Sequence, residues 1–230
     1  MRRALLLAPA LLALAACAPH AAIPDAERSR VHQELAGQQR YLRVAAYVAP
    51  FWGDRTKLLL TDRAPADLDF IETTGGTPIA PPTPERVLPP GTPVRLREVE
   101  FPTGWLIARR VVMTPRYSPW VYVEAAGESR PLVVVLPQTA ASYEDVRLEV
   151  EQILSTDDPS SFFRSLPQEQ RAAIAKKEPV EGMSPRALEM AWGLPEKKRI
   201  DRPAGTEEWS WAGGKRRAFL QDERLVRWER

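Results

Sequence analysis

The sequence predicts an α+β protein of two small units, a β-barrel of short strands followed by a helix–helix–three-strand meander. Three observations predict it. Short alternating segments recur over residues 41–138, separated by turns rich in Gly and Pro, as in a small barrel or sandwich. Over residues 166–228 two capped helical segments lead into strands built around tryptophans. The chain also carries 23 prolines in 230 residues, which favours loops and sheet edges over long helices.

At the start of the chain, Arg2 and Arg3 precede an apolar run over residues 4–16, and Cys17 follows. A basic start and a short apolar run make an export signal, too short to span a bilayer. Leu14-Ala15-Ala16-Cys17 resembles a bacterial lipobox. The resemblance implies removal of residues 1–16 as a lipoprotein signal peptide and acylation of Cys17. The alternative is an ordinary signal peptide with an incidental cysteine, but Cys17 is the chain's one cysteine and stands at the required position. Several acyl chains anchor stably where one is marginal. Ala18 follows the cysteine in place of Asp. By resemblance to Gram-negative sorting signals, this implies the outer membrane, with the protein facing the periplasm.

Charge narrows the partners. The chain has 32 basic and 30 acidic side chains, and losing Arg2 and Arg3 with the signal leaves 30 of each. A nucleic-acid binder would carry a basic excess, so no nucleic-acid partner is expected. With its one cysteine acylated, the chain keeps neither a disulfide framework nor a thiol nucleophile. Residues 17–40 read as a tether. In its polar stretch over 25–39 only Val31 and Leu35 offer an apolar stripe, which suits a spacer better than a partner helix.

The barrel is expected over residues 41–138. Leu42, Val44, Ala46 and Val48 alternate with Tyr41, Arg43, Ala45 and Tyr47 in a first strand. A turn over 50–54 leads to a strand beginning at Lys57, and residues 67–71 add a short one. Residues 73–90 read as a long Gly- and Pro-rich loop. Strands are expected over 94–101, 105–112, 120–124 and 132–136. The run GTPVRLREVEF from Gly91, with its return strand, resembles bacterial SH3-like barrels over about residues 55–137. The resemblance implies recognition of a peptide or a wall polymer. Arg116-Tyr117-Ser118-Pro119-Trp120 is a Pro-bounded aromatic loop, which makes Tyr117 and Trp120 candidate binding residues. A loop that merely covers the barrel end is the alternative.

A linking helix is expected within residues 139–160. Ser142 and Asp145 form a variant capping box, and Val146, Val150, Ile153 and Leu154 share one face.

The C-terminal unit spans residues 161–230. Pro167 opens its first helix. Ser184 caps the second, Pro185 stands at its first position, and Met183 and Leu188 are spaced as a hydrophobic staple. Gly193 and Pro195 end it. Trp209 and Trp211 share a strand face, Gly213-Gly214 reads as a two-residue turn, and a polar turn over 221–224 leads to the last strand. The order of Gly182-Met183-Ser184, the helix ending Ala191-Trp192-Gly193-Leu194-Pro195, and the Glu208-Trp209 meander resembles the SmpA/OmlA (BamE-like) family over about residues 166–229. The resemblance implies an ααβββ fold and an envelope location. Trp209 and Trp211 are candidate binding anchors, although a unit this small needs most of its tryptophans as core.

Groups suited to catalysis are scattered. His20 and His32 are the only histidines and both fall in the tether, where a base cannot be held beside a nucleophile. Glu207-Glu208 on a strand point to opposite faces, and Asp157-Asp158 suit a turn. Thr74-Gly75-Gly76-Thr77 lacks the Gly-Lys-Ser/Thr of a phosphate loop. No catalytic, metal or cofactor residue is therefore assigned, and no enzyme is expected. The favoured function is a lipid-anchored binding or scaffolding protein with a protein partner, assisting envelope or outer-membrane protein assembly. The alternatives are an SH3-like binder of peptidoglycan or peptide, and an envelope hydrolase.

Overall fold

The computed structural model describes residues 23–230, so the signal, Cys17 and His20 lie outside the described part. The protein is α+β, with a mixed eight-stranded sheet and a second, antiparallel four-stranded sheet among the described residues. None of the described helices is long and apolar enough to cross a membrane.

The large sheet contains β1 (Gln39–Leu42), β2 (Ala46–Phe51), β3 (Asp54–Thr61), β4 (Arg86–Leu88), β5 (Pro93–Glu100), β6 (Trp120–Ala125), β7 (Leu132–Val135) and β8 (Leu154–Ser155). Their order is β4-β2-β3-β7-β6-β5-β1-β8, with β3 and β7 parallel and the other neighbours antiparallel. β2 and β1 are five strands apart, about 24 Å in a flat sheet. Yet only Arg43, Val44 and Ala45 join them, a link of at most about 14 Å. The sheet is therefore strongly curled. The expected single strand over 41–48 is broken at this corner because other elements take its amides. Arg43 N donates to Ile153 O (2.8 Å) and Ala45 N to Met190 O (2.8 Å).

Alternation gives the sheet two apolar faces. Leu58, Leu60, Val121, Val123, Leu132 and Val134 belong to one core, with Val31 and Leu35 of α1 (Asp25–Leu35) and Val146, Val150 and Ile153 of α3 (Tyr143–Ile153). Leu59, Trp120, Val133 and Val135 belong to another, covered by Leu68, Phe70, Ile71 and Ile79. Ser142 caps α3 as expected, accepting from Asp145 N at 3.1 Å while Asp145 Oδ2 accepts from Ala141 N at 3.0 Å.

Three expectations for this half are corrected. The tether reading of residues 17–40 fails over α1, because Val31 and Leu35 are buried and Tyr143 N donates to Glu27 Oε2 (2.7 Å). Two apolar residues one turn apart suffice to dock a helix on an existing core. Residues 105–112 form no strand. Thr103 accepts from Leu106 N (3.3 Å) and caps α2 (Gly104–Arg109) instead. Residues 67–71 make a 3₁₀ turn (Pro65–Asp67) and a covering loop, since their apolar side chains are drawn onto the second core.

In the C-terminal half, α4 (Ser160–Ser165), α5 (Gln168–Ala175) and α6 (Pro185–Trp192) precede β9 (Lys197–Asp201), β10 (Thr206–Trp211), β11 (Arg216–Gln221) and β12 (Arg224–Glu229). The meander thus has four strands, not three. β9 is exposed throughout and carries the polar sequence Lys-Lys-Arg-Ile-Asp, so it leaves no apolar alternation to read. α6 keeps its expected ends. Ser184 Oγ accepts from Ala187 N (3.3 Å), Met183 and Leu188 are buried, and Gly193 ends the helix at positive φ (86°) but with extended ψ (179°) in place of the expected left-handed turn. The Gly213-Gly214 turn is longer than two residues. Ala212, Gly213 and Gly214 all have positive φ, and the hairpin closes at Trp211 with Arg216. One face of this sheet, with Trp209, Trp211, Ala218, Leu220 and Leu225, packs on Leu188, Ala191 and Trp192. Ala45 from the β1–β2 corner belongs to the same buried cluster.

Candidate functional site

The most unusual chemistry lies where the two sheets meet. α5 ends in a Schellman motif, with Glu178 N donating to Ala173 O (2.9 Å) and Lys177 N to Ile174 O (2.9 Å). The left-handed position of such a motif favours glycine, yet Lys177 occupies it at φ 55°. The strained position sends a lysine into the seam. Its Nζ donates to Ala45 O (2.5 Å) and lies 5.2 Å from the centre of the Tyr47 ring. Burial, helped by the Arg216 cation and opposed by Asp62, pulls the ammonium down to about 7. Asp62 is pushed the other way, upward, mainly by burial, against the pull of Lys177, Arg63 and Arg216. Gly193 leaves room for it, because a Cβ there would stand 2.6 Å from Asp62 Oδ2.

Beside this pair is a cavity of about 460 Å³, lined in part by Asp62, Arg63, Glu149, Trp192, Trp211 and Arg216. Burial raises the Glu149 carboxyl, with the negative Asp62 adding to it. Arg216 holds Asp67 at 3.3 Å, and its buried Nε has no hydrogen-bond partner. Two arginines and three carboxylates, Asp62, Glu149 and Glu196, leave the lining with no excess of cations. A lysine amine poised near neutrality suits a nucleophile or base. Lys177, however, is only 3% exposed and is not among the residues lining the cavity. Its role in this arrangement is to satisfy the corner carbonyl of Ala45 and pin α5 to the large sheet.

This placement predicts a pH dependence. An unfolded lysine keeps its proton up to about pH 10.4, whereas folded Lys177 releases it near 7. Between these values the unfolded chain binds more protons, so folding stability rises with pH, by up to about 1.4 kcal/mol per unit. Lys177→Met removes that contribution. Urea unfolding at several pH values from 7 to 10 should therefore give a shallower rise for the variant than for the parent, and equal slopes would refute the assignment.

The aromatic candidates divide. Trp120, Trp209 and Trp211 are between 1% and 3% exposed and are core residues, not binding anchors. Trp120 packs edge-on against Phe51 (4.9 Å between ring centres) and donates from Nε1 to Pro115 O (3.0 Å). Trp211 packs edge-on against Trp192 (5.1 Å) and donates to Gly193 O (3.1 Å). Trp209 donates to Glu207 Oε2 (2.7 Å). Each faces a core because the alternation of its strand demands it, and Trp120 belongs to a different core from the other two. Tyr117 stays partly exposed, with the Arg116 guanidinium 5.0 Å from its ring centre. Cys17 lies outside the described residues.

A feature that no sequence motif marks lies just before Tyr117. Residues 103–119 leave the sheet between β5 and β6 and return, and their feet are tied by Arg110. That buried guanidinium lies 3.6 Å from the centre of the Trp120 ring. It pairs with Glu100 (2.5 Å) and donates to the carbonyls of Arg116 and Ser118 (2.8 Å each). Beyond this tie, Trp105 and Val112 are 70% and 68% exposed, and Val111 and Met113 are exposed as well. The available signal was charge, since residues 103–119 contain no Asp or Glu.

No protein-family model, curated protein or solved structure matches this chain. Among the described residues, no three His, Cys, Asp or Glu side chains gather as a metal site.

Proposed function

We propose that this chain is a lipid-anchored binding or scaffolding protein on the periplasmic face of the outer membrane, serving envelope or outer-membrane protein assembly. The reading treats the first half as an SH3-like barrel and the second as a BamE-like module. Supporting it are the curled sheet, the helix pair over an antiparallel meander, and the capped α6 within the Gly182–Pro195 punctuation. The observation that carries it is spacing. The described part begins at Ile23, itself buried in the first core, only six residues after the lipobox cysteine. Six residues span at most about 20 Å, so acylated Cys17 would hold the barrel close against the bilayer. With Trp120 buried, Trp105 is the most exposed described aromatic of the barrel half, and Tyr117 is one of several that are partly exposed.

Cys17→Ser should release the protein from salt-washed membranes, and the acyl mass should disappear from the N-terminal peptide. A wild-type N-terminal peptide without acyl mass would refute the anchoring. Cross-linking the wild-type protein in intact envelopes should capture assembly proteins, and recovery of peptidoglycan instead would favour the wall-binding alternative.

A further inference from the structure

Four of the seven large apolar side chains that stand exposed among the described residues fall within 105–113. Of the other three, Leu148 stands alone on α3, and Ile200 and Val226 line one shallow groove of the small sheet. The exposed four are not on slack chain. Arg110 ties the feet of the excursion, Gly53 N donates to Met113 O (3.2 Å), and Thr114 Oγ1 donates to Val111 O (2.7 Å). A rigid backbone thus holds Trp105, Val111, Val112 and Met113 out into solvent.

The excursion also rises from the end of the sheet at which the chain enters. Glu100 pairs with Trp120 and Trp120 with Val135, so the last residue of β5, the first of β6 and the last of β7 lie side by side. Leu136 N donates to Pro119 O (3.0 Å) at that end. The segment after Leu136 turns directly into α3, whose first amide, Tyr143 N, donates to Glu27 in the first turn of α1. Ile23, Phe101 and Ala140 are buried in the same core. The start of the described chain and both feet of the excursion therefore share one end of the barrel.

Charge and residue type identify the occupant. Arg109 is exposed, with its guanidinium 5.7 Å from the centre of the Trp105 ring, and Arg116 is partly exposed. No acidic side chain lies between residues 103 and 119. A tryptophan with aliphatic neighbours and arginines, and without carboxylates, fits the boundary between acyl chains and anionic headgroups.

We propose that the 103–119 excursion is a second membrane contact, with Trp105, Val112 and Met113 seated in the interface of an anionic phospholipid surface and Arg109 against its phosphates. A second, weaker contact gains from the effective concentration that the acyl anchor provides. The foot also fixes which side of the barrel faces the bilayer, which a lipid chain alone leaves free. The proposal rests on the anchoring reading for how the protein reaches a membrane, but the test separates the two.

The test uses the unacylated chain from Ala18 to Arg230, which keeps every described residue and lacks Cys17. It should co-sediment with vesicles of phosphatidylethanolamine and phosphatidylglycerol. The variant Trp105→Ser/Val112→Ser/Met113→Ser should partition about tenfold or more weakly while melting at the same temperature. Arg109→Gln alone should weaken binding and blunt its salt dependence. Failure of the parent chain to co-sediment, or equal partitioning of the triple variant, would overturn the proposal. So would sedimentation velocity showing a dimer that the triple variant dissolves, because the patch would then be an interface between copies. The acyl anchor is read separately, by the acyl mass on the N-terminal peptide, which none of these outcomes changes.

Discussion

Arg110→Ala should cost about 3–5 kcal/mol of folding stability, the range for breaking a buried charge pair from one side. The side chain serves four partners at once. It stacks on Trp120, pairs with Glu100, and donates to two carbonyls of the returning segment. Burial depresses its pKa and the Glu100 pair opposes that shift, so the guanidinium is held where water contributes little. Removal would leave Glu100 without its cation and the carbonyls of Arg116 and Ser118 without donors, while opening space over the indole. Arg110→Lys should rescue little, because an ammonium cannot stack flat on the ring and serve a carboxylate and two carbonyls from one fork. Urea unfolding of both variants measures this, and a loss below about 1 kcal/mol in the alanine variant would show that the tie carries no weight. Proteolysis within residues 103–119 should rise in parallel, since the feet would no longer be fastened.

Trp211→Ala should cost a similar amount, about 3–5 kcal/mol, through the cavity it leaves and the lost packing against Trp192. Trp211→Phe should recover most of this, and fall short of wild type by about 1–2 kcal/mol for the unsatisfied Gly193 carbonyl. Both are read by urea unfolding. Near-native stability of the alanine variant would contradict the placement of Trp211 in the core. The effect should extend beyond the small sheet, because Trp211 and Trp192 also line the seam cavity beside Asp62 and Arg216. Loosening them should free Lys177 from its dry position, so the rise in stability from pH 7 to 10 should flatten in Trp211→Ala as it does in Lys177→Met.

Local chemistry was legible wherever it alone decides the backbone. The Ser184 and Ser142 caps, the helix stop at Gly193 and the strands β6, β7, β10 and β11 follow from neighbouring residues, and they stand as expected to within a residue or two. Burial of the tryptophans could have been read from the same alternation that placed the strands. A Pro-bounded loop suggested exposure for Trp120, yet as the first residue of β6 it takes its direction from the pleat. The helix at 104–109 lost to a strand expectation because Trp-Leu-Ile is apolar in either geometry. With no strand free to pair there, the Thr103 cap decided the outcome.

By itself the sequence determined the α+β class, the helix caps, most strands and the lipobox pattern, because each depends on residues a few positions apart. Only the tertiary structure decided that α1 docks, that the 41–48 strand breaks, and that Lys177 takes a glycine position. It also decided that one apolar segment finds no cover. These outcomes depend on partners distant along the chain: Tyr143 for Glu27, Met190 and Ile153 for the corner amides, and Ala45 for the lysine. A carbonyl that needs a donor, or a core that will accept a helix, exists only once remote strands have met, and no local periodicity encodes it.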